Sequence, residues 1–272
     1  MTLQGKTALV TGSTDGVGRV VAERLGKTGA RVLVHGRDRA RGEQVVGAIK
    51  RAGGTAEFLE ADLAALAEVR GLAEAVRATT DRLDILINNA GIGSAGAARQ
   101  VSADGHELRF AVNYLAGFLL TYLLLPLVKQ SAPARIVNVA SAGQQAIDFA
   151  DVMLTRGYDG TRAYRQSKLA QIMLTIDLAA ELEGSGVTVN ALHPATYMNT
   201  TMVRRAGVTP ISTVEEGAEA ILNLAAGPAI EGRSGLYFNG LREARADRQA
   251  YDADARSRLR ALSLELAGGV KM

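Results

Sequence analysis

Short runs rich in valine, isoleucine and leucine alternate along the chain with longer segments whose apolar positions recur every three to four residues. The short runs at 6–10, 31–34, 55–60, 85–88, 135–139, 187–192 and 235–238 predict strands. The longer segments at 17–27, 39–51, 66–79, 104–129, 161–183 and 214–226 predict helices. Most strand runs are continuously apolar rather than alternating, which implies burial on both faces. Repeated strand–helix alternation predicts an α/β fold, a parallel sheet with helices on both faces. No composition shift marks a linker, so residues 1–272 are expected to form a single domain. Two connections, 143–160 and 194–213, are long enough to be functional loops. The segment 246–267 mixes arginine with aspartate at helical spacing and predicts a C-terminal helix, ended by Gly268 and Gly269.

The stretch 110–128 carries no charge and has the length of a bilayer span. Asn113, Tyr114, Thr121 and Tyr122 interrupt it, Pro126 sits near its end, and strand patterns flank it. It therefore reads as a buried or interface helix, and no membrane span is expected. The helical segments 104–129 and 161–183 are apolar beyond what one sheet face would cover. That surplus points to a homodimer or homotetramer.

Composition narrows the chemistry. With 47% apolar and 22% charged residues, the 272-residue chain is globular in character rather than disordered or fibrous. The absence of cysteine excludes disulfides, thiolate metal sites and cysteine nucleophiles. The three histidines, His35, His106 and His193, are too scattered for a histidine-built metal site, so no metal is expected. A net charge of +3, with no long basic run, gives no reason to expect nucleic-acid binding. No signal-peptide pattern fits the first residues, and a cytoplasmic location is expected.

The first strand runs into Gly12, Ser13, Thr14, Asp15, Gly16, Val17 and Gly18, and a helix follows. A strand that turns sharply into a helix presents free N–H groups to a pyrophosphate, and Cβ atoms at the turn would block the approach. A tight strand–helix turn also wants glycine for itself. The Gly-x3-Gly-x-Gly spacing after the first strand favours a dinucleotide. The end of the second strand discriminates between cofactors: an acid there accepts from a ribose 2′-hydroxyl, a cation pairs with a 2′-phosphate. The sequence is Gly36-Arg37-Asp38-Arg39, with Arg41 close by. Asp38 lies twenty residues after Gly18 and so competes as an NAD determinant. Gly36 falls at the strand end, and the Arg37 guanidinium fork suits a phosphate, so NADP(H) is favoured over NAD(H). The alternative is a solvated helix start in which Asp38 caps the helix and the arginines face water.

Tyr164 and Lys168 stand at i and i+4 of a helical pattern and share one face. A phenol with a pKa near 10 is a poor proton shuttle at neutral pH, and a nearby ammonium would pull that value down. Ser141 follows a strand at the carboxyl edge of the sheet, where ligands bind in open α/β sheets. Asn88, Asn89, Ala90 and Gly91 close another strand at the same edge, and Asn113 interrupts the apolar helix. Each has a bland role as a turn or packing residue. Jointly they point to proton transfer beside a dinucleotide.

Taken together, residues 4–238 resemble the short-chain dehydrogenase/reductase family. The resemblance rests on Gly12-x3-Gly16-x-Gly18, Asp62-Leu63, Asn88-Asn89-Ala90-Gly91, Asn113, Ser141 and Tyr164-x3-Lys168. It implies a Rossmann-type, doubly wound sheet of seven strands and NAD(P)-dependent hydride transfer between a carbonyl and an alcohol. It implies Tyr164 as general acid/base and Lys168 as a ribose ligand that depresses the tyrosine pKa. Ser141 would orient the substrate oxygen, and Asn113 would hold a water linked to Lys168. The resemblance also places Asp62 and Leu63 at the adenine, Asn88, Asn89, Ala90 and Gly91 on the adenosine side, and Pro194 and Thr196 near the nicotinamide. In the family the two apolar helices form a four-helix interface.

Ser141 and Tyr164 are twenty-three positions apart, wider than is usual in the family. The extra stretch, together with His35-Gly36-Arg37-Asp38, resembles the retinol-dehydrogenase-like and WW-domain-oxidoreductase-like branch, and hints at a bulky or lipophilic carbonyl. Where the family usually has Pro-Gly, this chain has Pro194-Ala195. Ala195 restricts that backbone and leaves the register between Thr196 and Thr200 open; Tyr197 and Met198 could line the substrate pocket or simply pack. A non-catalytic NADP-binding or sensing protein on the same fold is the alternative. It would not need Ser141, Tyr164, Lys168 and Asn113 together.

Overall fold

The computed structural model describes residues 2–93 and 98–269. Met1, residues 94–97 and residues 270–272 of the expected 1–272 domain lie outside the described residues. Eight strands form one sheet in the order β3-β2-β1-β4-β5-β6-β7-β8. They are β1 (Thr7–Val10), β2 (Arg31–Gly36), β3 (Thr55–Glu60), β4 (Ile85–Asn88), β5 (Ala134–Val139), β6 (Val187–His193), β7 (Tyr237–Asn239) and β8 (Arg242–Ala244). The first seven run parallel and β8 pairs antiparallel to β7. The expected seven-stranded sheet thus gains an edge strand. A two-residue turn at Gly240 and Leu241 makes it, with Gly240 at φ +59°, a conformation glycine adopts without strain.

Side-chain alternation along each strand feeds two cores. Ala8, Val10, Val32, Val34, Ile85 and Ile87 face α1 (Gly16–Lys27), α2 (Arg39–Arg51) and α7 (Val214–Ala226). Leu9, Leu33, Leu86 and Ile136 face α3 (Leu66–Thr79), α4 (Leu108–Gln130) and α5 (Gly160–Glu181). Side-chain oxygens start most of these helices by accepting otherwise orphaned N–H groups: Asp15 for α1, Asp38 for α2, Asp159 for α5. Thr213 and Glu216 form a reciprocal capping box on α7.

Helix α4 begins four residues later than the pattern predicts. Residues before it form a tight turn closed by a Val101–Glu107 bridge, and the Glu107 carboxylate caps the Phe110 N–H at 2.7 Å. Its segment Ala111–Leu115 is a π-helical turn with Asn113 at the centre, a distortion common at functional sites. By length and composition α4 could cross a membrane, but most of it is buried within the fold.

The tail departs from the expected helix over 246–267. A 3-10 turn at Arg248–Tyr251 leads into α8 (Ala253–Leu266), capped by Asp252. Helix α8 lies across the outer flank of α4 and α5. Leu259 is buried against them, and the Tyr114 hydroxyl meets Ser263 Oγ at 2.7 Å. Arg256 pairs with Asp177 at 2.6 Å and Arg260 with Glu181 at 2.9 Å. The chain's own C-terminal helix therefore covers part of the apolar surplus that pointed to a neighbouring copy.

Candidate active site

The site lies at the carboxyl edge of the sheet, where the order reverses between β1 and β4 and connections leave in opposite directions. The glycine turn follows β1, Asn89 to Gly91 follow β4, Ser141 follows β5 and His193 to Thr196 end β6.

Close packing explains the glycines. A Cβ on Gly12 would lie 2.8 Å from Ala90 Cα, and one on Gly18 would lie 2.4 Å from Gly12 O and from Asn89 Nδ2. Asn89 Nδ2 donates to the Thr11 and Gly12 carbonyls at 2.8 and 3.1 Å, and Ala90 N donates to Thr11 Oγ1 at 3.0 Å. The β4 loop thus braces the β1 turn. Asp15 caps Gly16, and its carboxyl is held below the usual range. Burial pushes it up, but hydrogen bonds from Thr201 and Gly16 and the charges of Arg41 and Arg204 outweigh that. Val17 packs into the core, and the start of α1 leaves first-turn N–H groups without intrahelical partners. A close-packed turn at a helix start, with a buried amine across the cleft, fits a pyrophosphate-bearing dinucleotide.

Three of the residues expected at the cofactor turn their side chains into the sheet and the core. Ser13 is fully buried, donating from Oγ to Val10 O at 2.7 Å and accepting from His35 N at 3.0 Å, so its side chain serves the sheet. The Asn88 amide points into the interior, where Nδ2 donates to Thr121 Oγ1 and Asn138 Oδ1, each at 2.9 Å. The Leu63 side chain is core. Asp62 sits at the rim, accepting from Ala64 N and facing Arg37 Nη1 at 3.4 Å.

At the end of β2, Asp38 accepts from Arg41 N at 3.0 Å as the cap of α2, the alternative role the sequence left open. A Cβ on Gly36 would lie 2.5 Å from Thr14 Cγ2, so no carboxylate side chain fits at the strand end. Arg37 is exposed there. Arg39 turns away to Glu60 at 2.7 Å, while Arg41 reaches back between Asp38 and Asp15, at 3.3 and 3.7 Å. Arg41 was not among the expected contacts.

Sequence reasoning also missed His35. The Gly12 N–H donates to His35 Nδ1 at 3.1 Å, which requires a neutral ring, and Nε2 is buried without a partner among the described residues. Burial lowers the ring's pKa to about 4, against weaker upward pulls from the Ala61 backbone and Asp62. The free value is about 6.5, so the unfolded chain takes up the proton first as pH falls. The stabilisation is whole above about pH 6.5 and lost by about pH 4, about 3 kcal/mol across that window. Urea unfolding followed by circular dichroism at several pH values is expected to show this slope, and His35→Gln to flatten it. Equal slopes in the two proteins would refute the assignment.

Ser141, Tyr164 and Lys168 converge. Ser141 Oγ accepts from Gly143 N at 3.0 Å, and its carbonyl accepts from Gln144 Nε2 and Tyr237 Oη at 2.9 and 3.0 Å. Ser141 Oγ and the Tyr164 ring both pack against Gly143, at 3.5 and 3.9 Å from where its Cβ would be. Lys168 Nζ lies 5.8 Å from the Tyr164 ring centre and donates to Val139 O at 2.8 Å and Gln171 Oε1 at 2.9 Å. The expected depression of the tyrosine pKa is reversed: burial raises it, and the nearby Ser141 hydroxyl opposes that only in part. Burial also lowers Lys168 to about 7, so at neutral pH the amine carries only part of its charge. Asn113 Oδ1 accepts from Ile92 N at 2.7 Å, and its Nδ2 donates to Ile92 O and Ser167 Oγ at 3.2 and 3.0 Å. A Cβ on Gly91 would lie 3.3 Å from Asn113 Oδ1 and 3.5 Å from Lys168 Nζ, so glycine lets the loop approach both.

The loop 143–159 contains no helix or strand; Ile147 and Leu154 are buried, and Gly143 at its start meets Ser141. The loop 194–213 contains the short helix α6 (Thr201–Arg205) and a bridge between Met198 and Ser212. Ala195 is accommodated because it does not take the left-handed conformation; Tyr197 does, at φ +45°. Thr196 Oγ1 pairs with His193 Nε2 at 3.0 Å, while Thr200 Cγ2 lies 3.4 Å from where a Gly16 Cβ would be. The latter threonine thus sits over the glycine turn. Met198 packs against Gly217 and Val17, a structural role, whereas Tyr197, Met202 and Ile211 are exposed.

Residues 6–209 match the short chain dehydrogenase family, and the chain belongs to that family. It is an oxidoreductase enzyme of the short-chain dehydrogenase/reductase type, in the retinol-dehydrogenase-like branch, acting between alcohol and carbonyl with a nicotinamide dinucleotide. Human retinol dehydrogenase 14 is 38% identical, with 99% of this chain and 88% of that protein covered. The bovine dehydrogenase/reductase SDR family member 13 is also 38% identical, covering 98% and 74%. Among solved structures, an uncharacterized protein from Mycobacterium paratuberculosis superposes with a TM-score of 0.81 at 29% identity, covering 98% and 95%. The Pseudomonas aeruginosa RhlG/NADP active-site complex superposes at 0.72 with 31% identity, covering 88% and 95%.

Proposed function

We propose that this chain reduces a lipophilic ketone or aldehyde, or oxidises the corresponding alcohol, with NADP(H) and with Tyr164 as the proton donor and acceptor. The observation that carries the reading is that the Ser141 hydroxyl, the Tyr164 ring and the Lys168 amine come together at the carboxyl edge of the sheet. When bound, the dinucleotide supplies or accepts the hydride. The chain's residues do the rest. The glycine turn and the α1 start hold the pyrophosphate, Lys168 the nicotinamide ribose, and Ala90 and Gly91 line the adenosine side. Ser141 donates to the substrate oxygen and sets its position, and Tyr164 delivers its proton to that oxygen in reduction. Asn113 holds the Ile92 backbone and Ser167 against the Lys168 side of the cleft.

The NADP preference rests on the absence of room for an acid at position 36 and on the exposed Arg37, with Arg41 beside it. Retinol dehydrogenases among the relatives, and the exposed apolar residues Tyr197, Met202 and Ile211 on the 194–213 loop, support a lipophilic substrate. Purified protein is expected to consume NADPH with aliphatic, aromatic, steroid or retinoid carbonyls. Arg37→Ala is expected to weaken NADP binding about tenfold, the scale of one charge-assisted hydrogen bond, and to leave NAD binding nearly unchanged. Fluorescence titration of both cofactors checks this, and an equal loss for both would retire the 2′-phosphate assignment.

A further inference from the structure

The face of α5 that carries Tyr164 and Lys168 continues through Gln171 and Thr175, at i+7 and i+11 from the tyrosine. All but the phenol end lies deep: Ser167, Lys168, Gln171 and Thr175 are buried polar residues. Such a stripe costs stability unless each group is paired, and here each has a partner. Thr175 Oγ1 donates to the Gln171 carbonyl at 2.9 Å and accepts from Asn138 Nδ2 at 2.8 Å. The Gln171 side chain turns the other way and accepts from Lys168 Nζ at 2.9 Å.

That contact is the only side-chain hydrogen bond to the amine among the described residues. Asn113 is committed elsewhere, its oxygen to Ile92 N and its nitrogen to Ile92 O and Ser167. The other acceptor is the Val139 carbonyl, fixed in β5. Two of the three N–H donors of the ammonium are thereby occupied, and the third is left for the cleft beside Gly91. Among the described residues the titratable groups facing the amine are Tyr164 on α5 and His193 at the end of β6, and no carboxylate offsets its burial. A neutral amide oxygen is therefore the adjustable element that favours the charged amine.

We propose that Gln171 is a positioning residue for the reaction: its side-chain oxygen fixes the Lys168 amine between α5 and β5 and stabilises its ammonium form. The inference rests on the role given to Lys168 above. It predicts that the residue three positions after the lysine tunes the pH range over which the enzyme works, without touching substrate or cofactor.

The test reads the lysine directly in the cofactor-free protein. Protein labelled with 13Cε-lysine is titrated by NMR, with Lys168 assigned through Lys168→Met. Gln171→Met removes the acceptor at similar volume and is expected to lower the Lys168 midpoint by about one pH unit, a tenfold shift in its protonation equilibrium. Gln171→Glu puts a charged acceptor at the same place and is expected to raise it by at least as much. The basic limb of the NADPH-turnover profile is expected to move in step with each midpoint. Lys168 midpoints that match the unsubstituted protein in both variants overturn the proposal, as does a shift of the same sign in both. Midpoints that move in opposite directions in a protein that turns over no carbonyl uphold the role of Gln171 and instead refute the enzymatic role given to Lys168.

Discussion

Tyr164→Phe is expected to lower turnover of any accepted carbonyl by about 10²–10⁴-fold, the usual contribution of a positioned general acid. The phenyl ring keeps the packing of a side chain whose only polar atom is the one removed. Binding of the dinucleotide, measured by fluorescence, is expected to hold. Raised by burial, the phenol stays protonated through neutral pH and is ready to donate in reduction. In the oxidative direction the same shift works against the base form, so activity is expected to keep rising with pH until Lys168 deprotonates. A variant that retains the original rate would show that the proton comes from elsewhere.

The second large effect lies outside the site. Arg109 and Glu107 are almost wholly buried, and Tyr158 bridges them, donating to Glu107 Oε1 at 2.9 Å and accepting from Arg109. Burial, and then the Glu107 carboxylate, push the Tyr158 phenol up to about 12, so it remains a donor. Arg109 Nε also donates to the Gly93 carbonyl at 2.9 Å. One guanidinium thus ties the start of α4 to the β4 loop and to the residue before the cap of α5. Arg109→Met leaves the Glu107 carboxylate in the interior without its counter-ion, with only the Phe110 N–H and the Tyr158 hydroxyl as partners, at a cost of about 3–5 kcal/mol. Chemical denaturation of the variant measures it. The double variant Glu107→Gln/Arg109→Met is expected to regain a substantial part, because the stranded charge is gone. Additive losses would mean that the two residues do not act as a pair.

The fold is legible in the sequence where burial on both faces writes continuous Val/Ile/Leu runs, as in β1, β2 and β4. It fails where pairing depends on a turn instead. Strand β8 is Arg-Glu-Ala, exposed along most of its length, and nothing apolar announces it. The start of α4 was misplaced because Glu107, a good helix former, is used as a cap. At the site, Tyr164 and Lys168 are legible because one helix sets their spacing, and Ser141 because it ends a strand. His35, Gln171 and Arg109 are not. His35 meets a turn twenty-three residues away, and Arg109 meets Tyr158 across forty-nine. Gln171 looks like one more polar residue on a helix until Lys168 is found folded back upon it. The motif shows which groups react; the contacts that set their charge come from chain folding.

Helix α8 has a consequence for how the molecule holds together. Its Leu259 and Ser263 seat on Tyr114 and Phe118 and close part of an oily flank with residues from the same polypeptide. A seal made between two subunits weakens on dilution, because mass action draws them apart. One made by a helix of the same chain does not, so the part of the flank that α8 covers stays covered however dilute the protein.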